Sequence, residues 1–141
     1  MTARWRAEAG SLTLELVILA PAILFILALV IVGGRVVIAD QAVTQAASQA
    51  ARDASLQPTP TAATATARSR AASVLDGQGL GCAPRAVTVN AAALSAPAGQ
   101  PGQVSVTVKC TVKWSDLGVP GPGTRTLSAT GTAPVDTWTA R

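Results

Sequence analysis

Residues 10–35 read GSLTLELVILAPAILFILALVIVGGR, and this stretch decides the architecture of the chain. The nineteen residues from Leu16 to Gly34 carry no charge. At about 1.5 Å per residue, a helix of that length covers roughly 28 Å, close to the thickness of the hydrocarbon core of a bilayer. The stretch therefore predicts one membrane-spanning helix near the start of the chain.

The charges that flank the apolar stretch bear on its orientation. Arg4 and Arg6 precede it, partly offset by Glu8, and Arg35 follows it. Basic residues accumulate on the cytoplasmic side of membrane helices, so this distribution favours a cytoplasmic N-terminus. We expect a single-pass protein of the cell membrane whose C-terminal part is extracytoplasmic.

A cleaved secretory signal is the competing interpretation of the apolar stretch. Such signals have apolar cores of about 7–15 residues and end at a site made of small residues. The present stretch is longer, and the nearest candidate site, Val37-Ile38-Ala39, contains a bulky residue and follows Arg35. We therefore predict three segments: a cytoplasmic leader (1–10), the membrane helix with its outward continuation (11–57), and an extracytoplasmic α+β domain (58–141).

The residues after the apolar stretch predict two helices and then a sheet. An Ala-rich stripe of helical period continues the membrane helix outward, so that one helix runs from about Ser11 to Leu56 and ends before Pro58 and Pro60. A second helix is expected over Thr61–Leu75, with Thr61 as its cap. The remaining apolar pattern has a period of two and predicts about three antiparallel strands, at Arg85–Asn90, Gln103–Trp114 and Thr124–Ala133.

The middle predicted strand and the two cysteines connect these elements. Val104, Val106, Val108, Cys110 and Val112 alternate with polar residues and are expected on one buried face. Cys82 lies in the loop after the second helix, and an even pair of cysteines in an exported domain is typical of a disulfide. We expect Cys82 to pair with Cys110, and the alternative is two reduced, buried thiols.

The composition argues against several classes of function. The net charge of +4 comes from 11 Lys and Arg against 7 Asp and Glu, without a basic patch interleaved with aromatic residues, so we expect no nucleic-acid partner. The chain has no His, the usual general base, and its aspartates are far apart in sequence. We expect no enzymatic activity, no metal, no cofactor and no small-molecule substrate.

Glu15 is the one residue that breaks a local rule, because a carboxylate at the edge of a membrane helix is unfavourable unless it is paired or lies near the interface. One interpretation places it among lipid headgroups, where the helix macrodipole favours an acid near an N-terminus. The other gives its carboxylate a function. The composition alone does not choose between these two interpretations.

The spacing around Glu15 resembles the type IV pilin signal. Gly10 is followed by Ser11 and, five residues after the glycine, by Glu15 at the start of the apolar helix. In more detail, the Gly10–Glu15–Pro21 spacing with Gly34-Arg35 at the exit is similar to the TadE-like family of the tight-adherence (Flp) pilus system. The Ala-rich helix, the cysteine pair and the short strands are also similar to TadE-like proteins of actinobacteria.

This resemblance implies a function and roles for particular residues. A prepilin peptidase would cut between Gly10 and Ser11, while Glu15, with Pro21, would register the helix against other pilin-like helices. The chain would be a pseudopilin or minor pilin-like subunit in pilus assembly, with the membrane and other tight-adherence subunits as partners and a type IV pilin-like α+β fold.

Two interpretations of another class remain. In the first, the chain is an extracytoplasmic cell-envelope or binding protein that uses the helix as a plain anchor. The second, a secreted hydrolase with a signal peptide, would need catalytic groups that the sequence does not offer.

Overall fold

The computed structural model of the chain describes residues 5–97, 99–136 and 138, with side chains from residue 15 onward. Its main elements are helices α1 (Trp5–Ser55) and α2 (Pro60–Gly77) and strands β1 (Arg85–Asn90), β2 (Gln103–Lys113) and β3 (Thr124–Pro134). Short 3-10 turns occupy Ala92–Ser95 and Trp114–Leu117. This order confirms the predicted α+β class, with a long apolar helix, a second short helix and three antiparallel strands.

Helix α1 is shared by two compact units, of which the first ends at Arg35 and the second begins at Val36. The helix begins at Trp5, six residues before the predicted start, so the backbone around Gly10 and Ser11 is helical. Residues 36–57, which the sequence predicts as the outward continuation of the membrane helix, belong to the second unit. Arg4 lies outside the described residues, as do the side chains of Arg6 and Glu8.

Within the second unit, α1 packs through a stripe of small side chains. Its buried residues recur at helical spacing and are all at most 4% exposed: Ala39, Ala42, Val43, Ala46, Ala47, Ala50, Ala51 and Ala54. An apolar stripe of this kind buries one face of a helix against a core. Because alanine projects only a methyl group, the backbone of α1 can approach the sheet closely.

Helix α2 begins at Pro60, one residue before the predicted start at Thr61. Thr59, and not Thr61, is its N-cap, and the Thr59 hydroxyl accepts a hydrogen bond from the Ala62 N–H at 3.2 Å. Pro60 occupies the first helical turn, where a proline has no intrahelical N–H bond to lose. Buried side chains recur every four residues along α2: Ala63, Ala67, Ala71 and Leu75.

The sheet has the order β1-β2-β3, and both neighbouring pairs are antiparallel. Its inner face carries the five predicted side chains of β2, each 0% exposed: Val104, Val106, Val108, Cys110 and Val112. On the outer face, hydroxyls of β2 and β3 contact each other, with Thr107 and Thr130 oxygens 2.9 Å apart and those of Thr111 and Thr126 3.0 Å apart. The alternation predicted from the sequence is confirmed.

The disulfide between Cys82 and Cys110 is present, with their Cα atoms 5.0 Å apart. It joins the loop after α2 to the C-terminal half of β2, and the two cysteines are 28 positions apart in the sequence. The same loop also bonds to β2 through its backbone, since Ala83 N–H donates to the Thr111 carbonyl at 2.9 Å. The pairing predicted for these two cysteines is confirmed.

Candidate functional site

The apolar part of α1 is the most unusual surface among the described residues. Its best 18-residue window has a mean hydropathy of 3.1, and none of that window is buried against other parts of the chain. Leu16 is 69% exposed, Leu24 65% and Phe25 65%. Contiguous apolar surface of this extent marks a membrane or partner contact, and the helix is long and apolar enough to span a bilayer.

Glu15 lies at the N-terminal boundary of this surface, and its side chain is exposed. Among the described side chains no ion pair or hydrogen bond involves the Glu15 carboxylate. One face of the helix continues from it and is formed by Leu16, Leu19, Ala20, Ile23 and Leu24. The site therefore presents one carboxylate at the end of an apolar helix face, where a second helix carrying a positive charge could pack.

Pro21 lies inside α1, six residues beyond Glu15, and the helix continues past it. A proline lacks the N–H that would bond to the carbonyl four residues earlier, which here is that of Val17. The Val17 carbonyl, which loses this bond, lies on the segment that follows Glu15. The structure thus keeps Glu15 and Pro21 on one continuous helix, as their spacing predicted.

The proposed processing position, between Gly10 and Ser11, lies within α1. Their side chains are outside the described residues. A protease binds an extended substrate, so cleavage here requires the first turns of α1 to unwind. Helix ends open at low free energy, which makes this position near the beginning of α1 accessible to such unwinding.

The exit from the apolar stretch consists of Gly33, Gly34 and the exposed Arg35. A Cβ atom added at either glycine would meet nothing within 4 Å. Close packing within the described part of the chain therefore does not require glycine at these two positions. The surface they leave open allows another helix to approach the α1 backbone.

Charged groups of the second unit form exposed ion pairs that no pattern in the sequence predicted. Asp53 of α1 contacts Arg70 of α2 at 3.2 Å, and Asp76 of α2 contacts Arg85 of β1 at 3.1 Å. The Arg85 guanidinium also donates to the Ala72 carbonyl at 3.2 Å. These pairs tie neighbouring elements together. Among the side chains that the structure describes, no group of three or more His, Cys, Asp or Glu is placed to hold a metal ion.

Comparison with known proteins finds one family. The family model described as TadE-like protein matches residues 10–52, which include Gly10, Glu15, Pro21 and Gly34-Arg35. A search of curated proteins and a search of solved structures each return no match. The match thus covers the membrane segment and most of the Ala-rich stripe of α1, and confirms the resemblance seen in the sequence.

Proposed function

Because residues 10–52 form a TadE-like segment, we propose that the chain is a pseudopilin or minor pilin-like membrane protein that acts in assembly of a tight-adherence pilus. The observation that supports this proposal most directly is the position of Glu15, an exposed carboxylate at the entrance of an uncovered apolar helix within the matched segment. A plain anchor needs the apolar helix but has no need of the carboxylate.

The role of Glu15 follows from electrostatics in a medium of low dielectric. An unpaired carboxylate within a bundle of apolar helices is unfavourable, and a cation within a few ångströms removes much of that penalty. Cleavage after Gly10 would create a positively charged amine on Ser11. In our proposal, the Ser11 amine of one subunit pairs with the Glu15 carboxylate of another, which fixes the axial stagger of the two helices.

The disulfide supports the proposed orientation, with the leader in the cytoplasm and the second unit outside it. Disulfides persist in oxidising compartments and are rare in the cytosol. The Cys82–Cys110 bond lies in the unit that begins at Val36. A prepilin peptidase that acts at the cytoplasmic face would then meet Gly10 on its own side of the membrane.

A second candidate is a membrane-anchored extracytoplasmic cell-envelope or binding protein. The observation in its favour is that the family match ends at residue 52, so the sheet and α2 lie outside it. In both proposals the chain acts through contacts and catalyses no reaction.

The first test is the mature N-terminus, determined by intact mass and terminal peptide mapping of protein from native membranes. We expect a start at Ser11 with the apolar helix retained. A start at Met1 or Thr2 would favour the plain anchor, and a start near Asp40 would mean that the helix was a signal peptide and would end the pilus proposal.

The second test replaces the carboxylate. We expect Glu15→Leu to insert in the membrane at normal abundance and to abolish pilus assembly, and Glu15→Gln to impair assembly because it keeps the shape and removes the charge. Gln41→Leu is the matched control, since it makes a polar, exposed residue of the same helix apolar. Normal piliation with Glu15→Leu would contradict the proposed registry role.

A further inference from the structure

The two outer strands of the sheet each leave one edge free. Because the order is β1-β2-β3, β1 and β3 have no further strand beside them within the described residues. Strand β3 is eleven residues long and pairs with β2 in constant register, without a bulge. Exposed edges are normally shortened, bulged or lined with charges, because their unpaired groups accept another strand. Here the only charge on β3 is Arg125, and its only proline is the terminal Pro134.

Hydrogen bonds at the two ends of the β2–β3 ladder show which β3 groups point outward. Val135 N–H donates to the Gly102 carbonyl at 2.9 Å, and Trp114 N–H donates to the Gly123 carbonyl at 3.0 Å. Both bonds use odd-numbered residues on the β3 side, and bonding alternates along an antiparallel strand. The even-numbered residues therefore turn their backbone groups to the free edge: Thr124, Thr126, Ser128, Thr130, Thr132 and Pro134.

The same reasoning identifies the free groups of β1. Thr111 N–H of β2 donates to the Pro84 carbonyl at 3.1 Å, so the even-numbered residues of β1 face β2. The odd-numbered Val87 and Val89 then present their backbone groups at the free edge. Both valines are only half-buried although they lie on the apolar face of the sheet. The β1 edge thus combines unpaired backbone groups with partly uncovered apolar side chains.

We propose that β3 of one copy of this chain pairs in parallel with β1 of the next copy, which joins their sheets edge to edge. Strands β1 and β3 are both antiparallel to β2, so they run in the same direction. A second copy in the same orientation can therefore place its β1 beside the free edge of β3. Such a head-to-tail contact repeats and builds a row of subunits. The proposal rests on the proposed function for the idea that copies assemble in a row, and it names a contact outside the TadE-like segment.

Side chains on the two edges are complementary. This is seen when each row of cross-strand neighbours in the sheet is extended from β3 of one copy to β1 of the next. Thr88, Thr107 and Thr130 form one row across the outer face. Thr130 would then lie beside Thr88 of the next copy and repeat the hydroxyl contact already made between Thr107 and Thr130 at 2.9 Å. On the inner face, Ala129 would cover Val87 of the next copy, so an apolar side chain that is half-buried in one copy becomes buried.

The charges do not oppose this contact. Arg85 is the only charged residue of β1, and its guanidinium is already bonded to Asp76. Arg125 lies opposite Val112 of β2, beyond the part of β2 that pairs with β1. No two like charges of β1 and β3 themselves therefore face each other across the joined edges. A second copy of the chain accordingly fits both edges in hydrogen bonding, side-chain size and charge.

The test is disulfide trapping of the full-length chain in membranes, with two differently tagged copies. One copy carries Thr88→Cys and the other Thr130→Cys. Within one copy these positions are two strand spacings apart, about 9.6 Å, which exceeds the limit of about 7 Å between Cα atoms for a disulfide. The matched control is Thr107→Cys, which places a cysteine in the same row and on the same face, but on the central strand. Intact mass confirms that the Cys82–Cys110 bond is retained.

We expect the mixed Thr88→Cys and Thr130→Cys dimer to exceed every pair that includes Thr107→Cys by about tenfold or more, because only adjacent strands bring Cα atoms within bonding distance. A dominant Thr130→Cys homodimer would overturn the proposal, since it indicates two antiparallel β3 strands. Equal yields for all pairs, or no bond, would overturn it as well. If trapping fails while pilus assembly still requires Glu15, the edge contact is wrong and the proposed function stands. If trapping succeeds while assembly does not require Glu15, the edge contact stands and the proposed function is wrong.

Discussion

The backbone of α1 passes close to Gly131 of β3, so a substitution at this glycine should have a large effect. A Cβ atom added at Gly131 would lie 2.6 Å from the Ser48 Cα and still closer to the Ala47 carbonyl group. Real Cβ atoms essentially never show such distances. The obstacle is the backbone of α1, which cannot rotate away as a flexible side chain can. Gly131→Ala must therefore push α1 off the sheet or distort β3.

The expected size of this effect follows from overpacking of cores, which destabilises by about 1–3 kcal/mol and occasionally more. A clash with backbone on one side and the β2–β3 ladder on the other should reach the upper end, about 3 kcal/mol. For a domain of this size, that loss lowers the midpoint of thermal unfolding by about 12 °C or more. It is also a large part of the roughly 5–15 kcal/mol that stabilises a typical domain.

The assay is thermal unfolding of the full chain in detergent micelles, followed by circular dichroism. Gly77→Ala is the matched control, because it adds the same methyl group at the end of α2, where nothing lies within 4 Å. We expect the control to leave the midpoint unchanged or to raise it slightly, as alanine favours a helix over glycine by up to about 1 kcal/mol. A midpoint for Gly131→Ala within about 2 °C of the wild type would refute the reasoning.

Three further predictions concern the second unit, and urea unfolding of the full chain in micelles measures each of them. Removing the disulfide with Cys82→Ala and Cys110→Ala should lower the free energy of unfolding by about 3–4 kcal/mol, as chain entropy predicts for a loop of this length; an unchanged midpoint would show that the bond constrains little. Ala67→Leu, at a position that is 0% exposed, should destabilise by about 1–3 kcal/mol, whereas Ala65→Leu on the exposed face should change stability by at most about 0.5 kcal/mol, and equal effects would contradict the packing described for α2. Thr59→Ala should lose about 1 kcal/mol with the N-cap hydrogen bond, and no loss would mean that this bond is not formed in solution.

The elements that the sequence predicted well are those with a simple period. Strand β1 has the predicted bounds, and β2 and β3 differ from prediction by one residue each. Alternation of apolar and polar residues is a local property, and a sheet with one buried face must obey it. The errors fall at element ends. Thr59 rather than Thr61 caps α2, because a cap is selected by whichever hydroxyl reaches the free N–H groups, and both threonines were available.

The candidate site was predictable for a similar reason. The spacing of Gly10, Glu15 and Pro21 lies on one helix, so no knowledge of tertiary structure was needed to place these residues along one segment. The family match over residues 10–52 supports the same segment. The ion pairs of Asp53 and Asp76 were not predictable, because exposed charges carry no periodic signal that names their partners.

By itself, the sequence determined the apolar helix, the class of the domain, the face of each strand that is buried, and a TadE-like segment with a carboxylate at the entrance of its apolar helix. These features depend on the composition and the hydrophobic period of short windows of sequence. Because apolar residues must be buried in lipid or in a core, such local patterns are enough to determine them. Only the tertiary structure decided where α1 meets the sheet at Gly131, which strands lie at the edges, and which backbone groups those edges leave unpaired. Such features depend on which distant segments pack together, and the packing of small residues such as Ala47 against Gly131 gives no periodic pattern that could reveal it in advance.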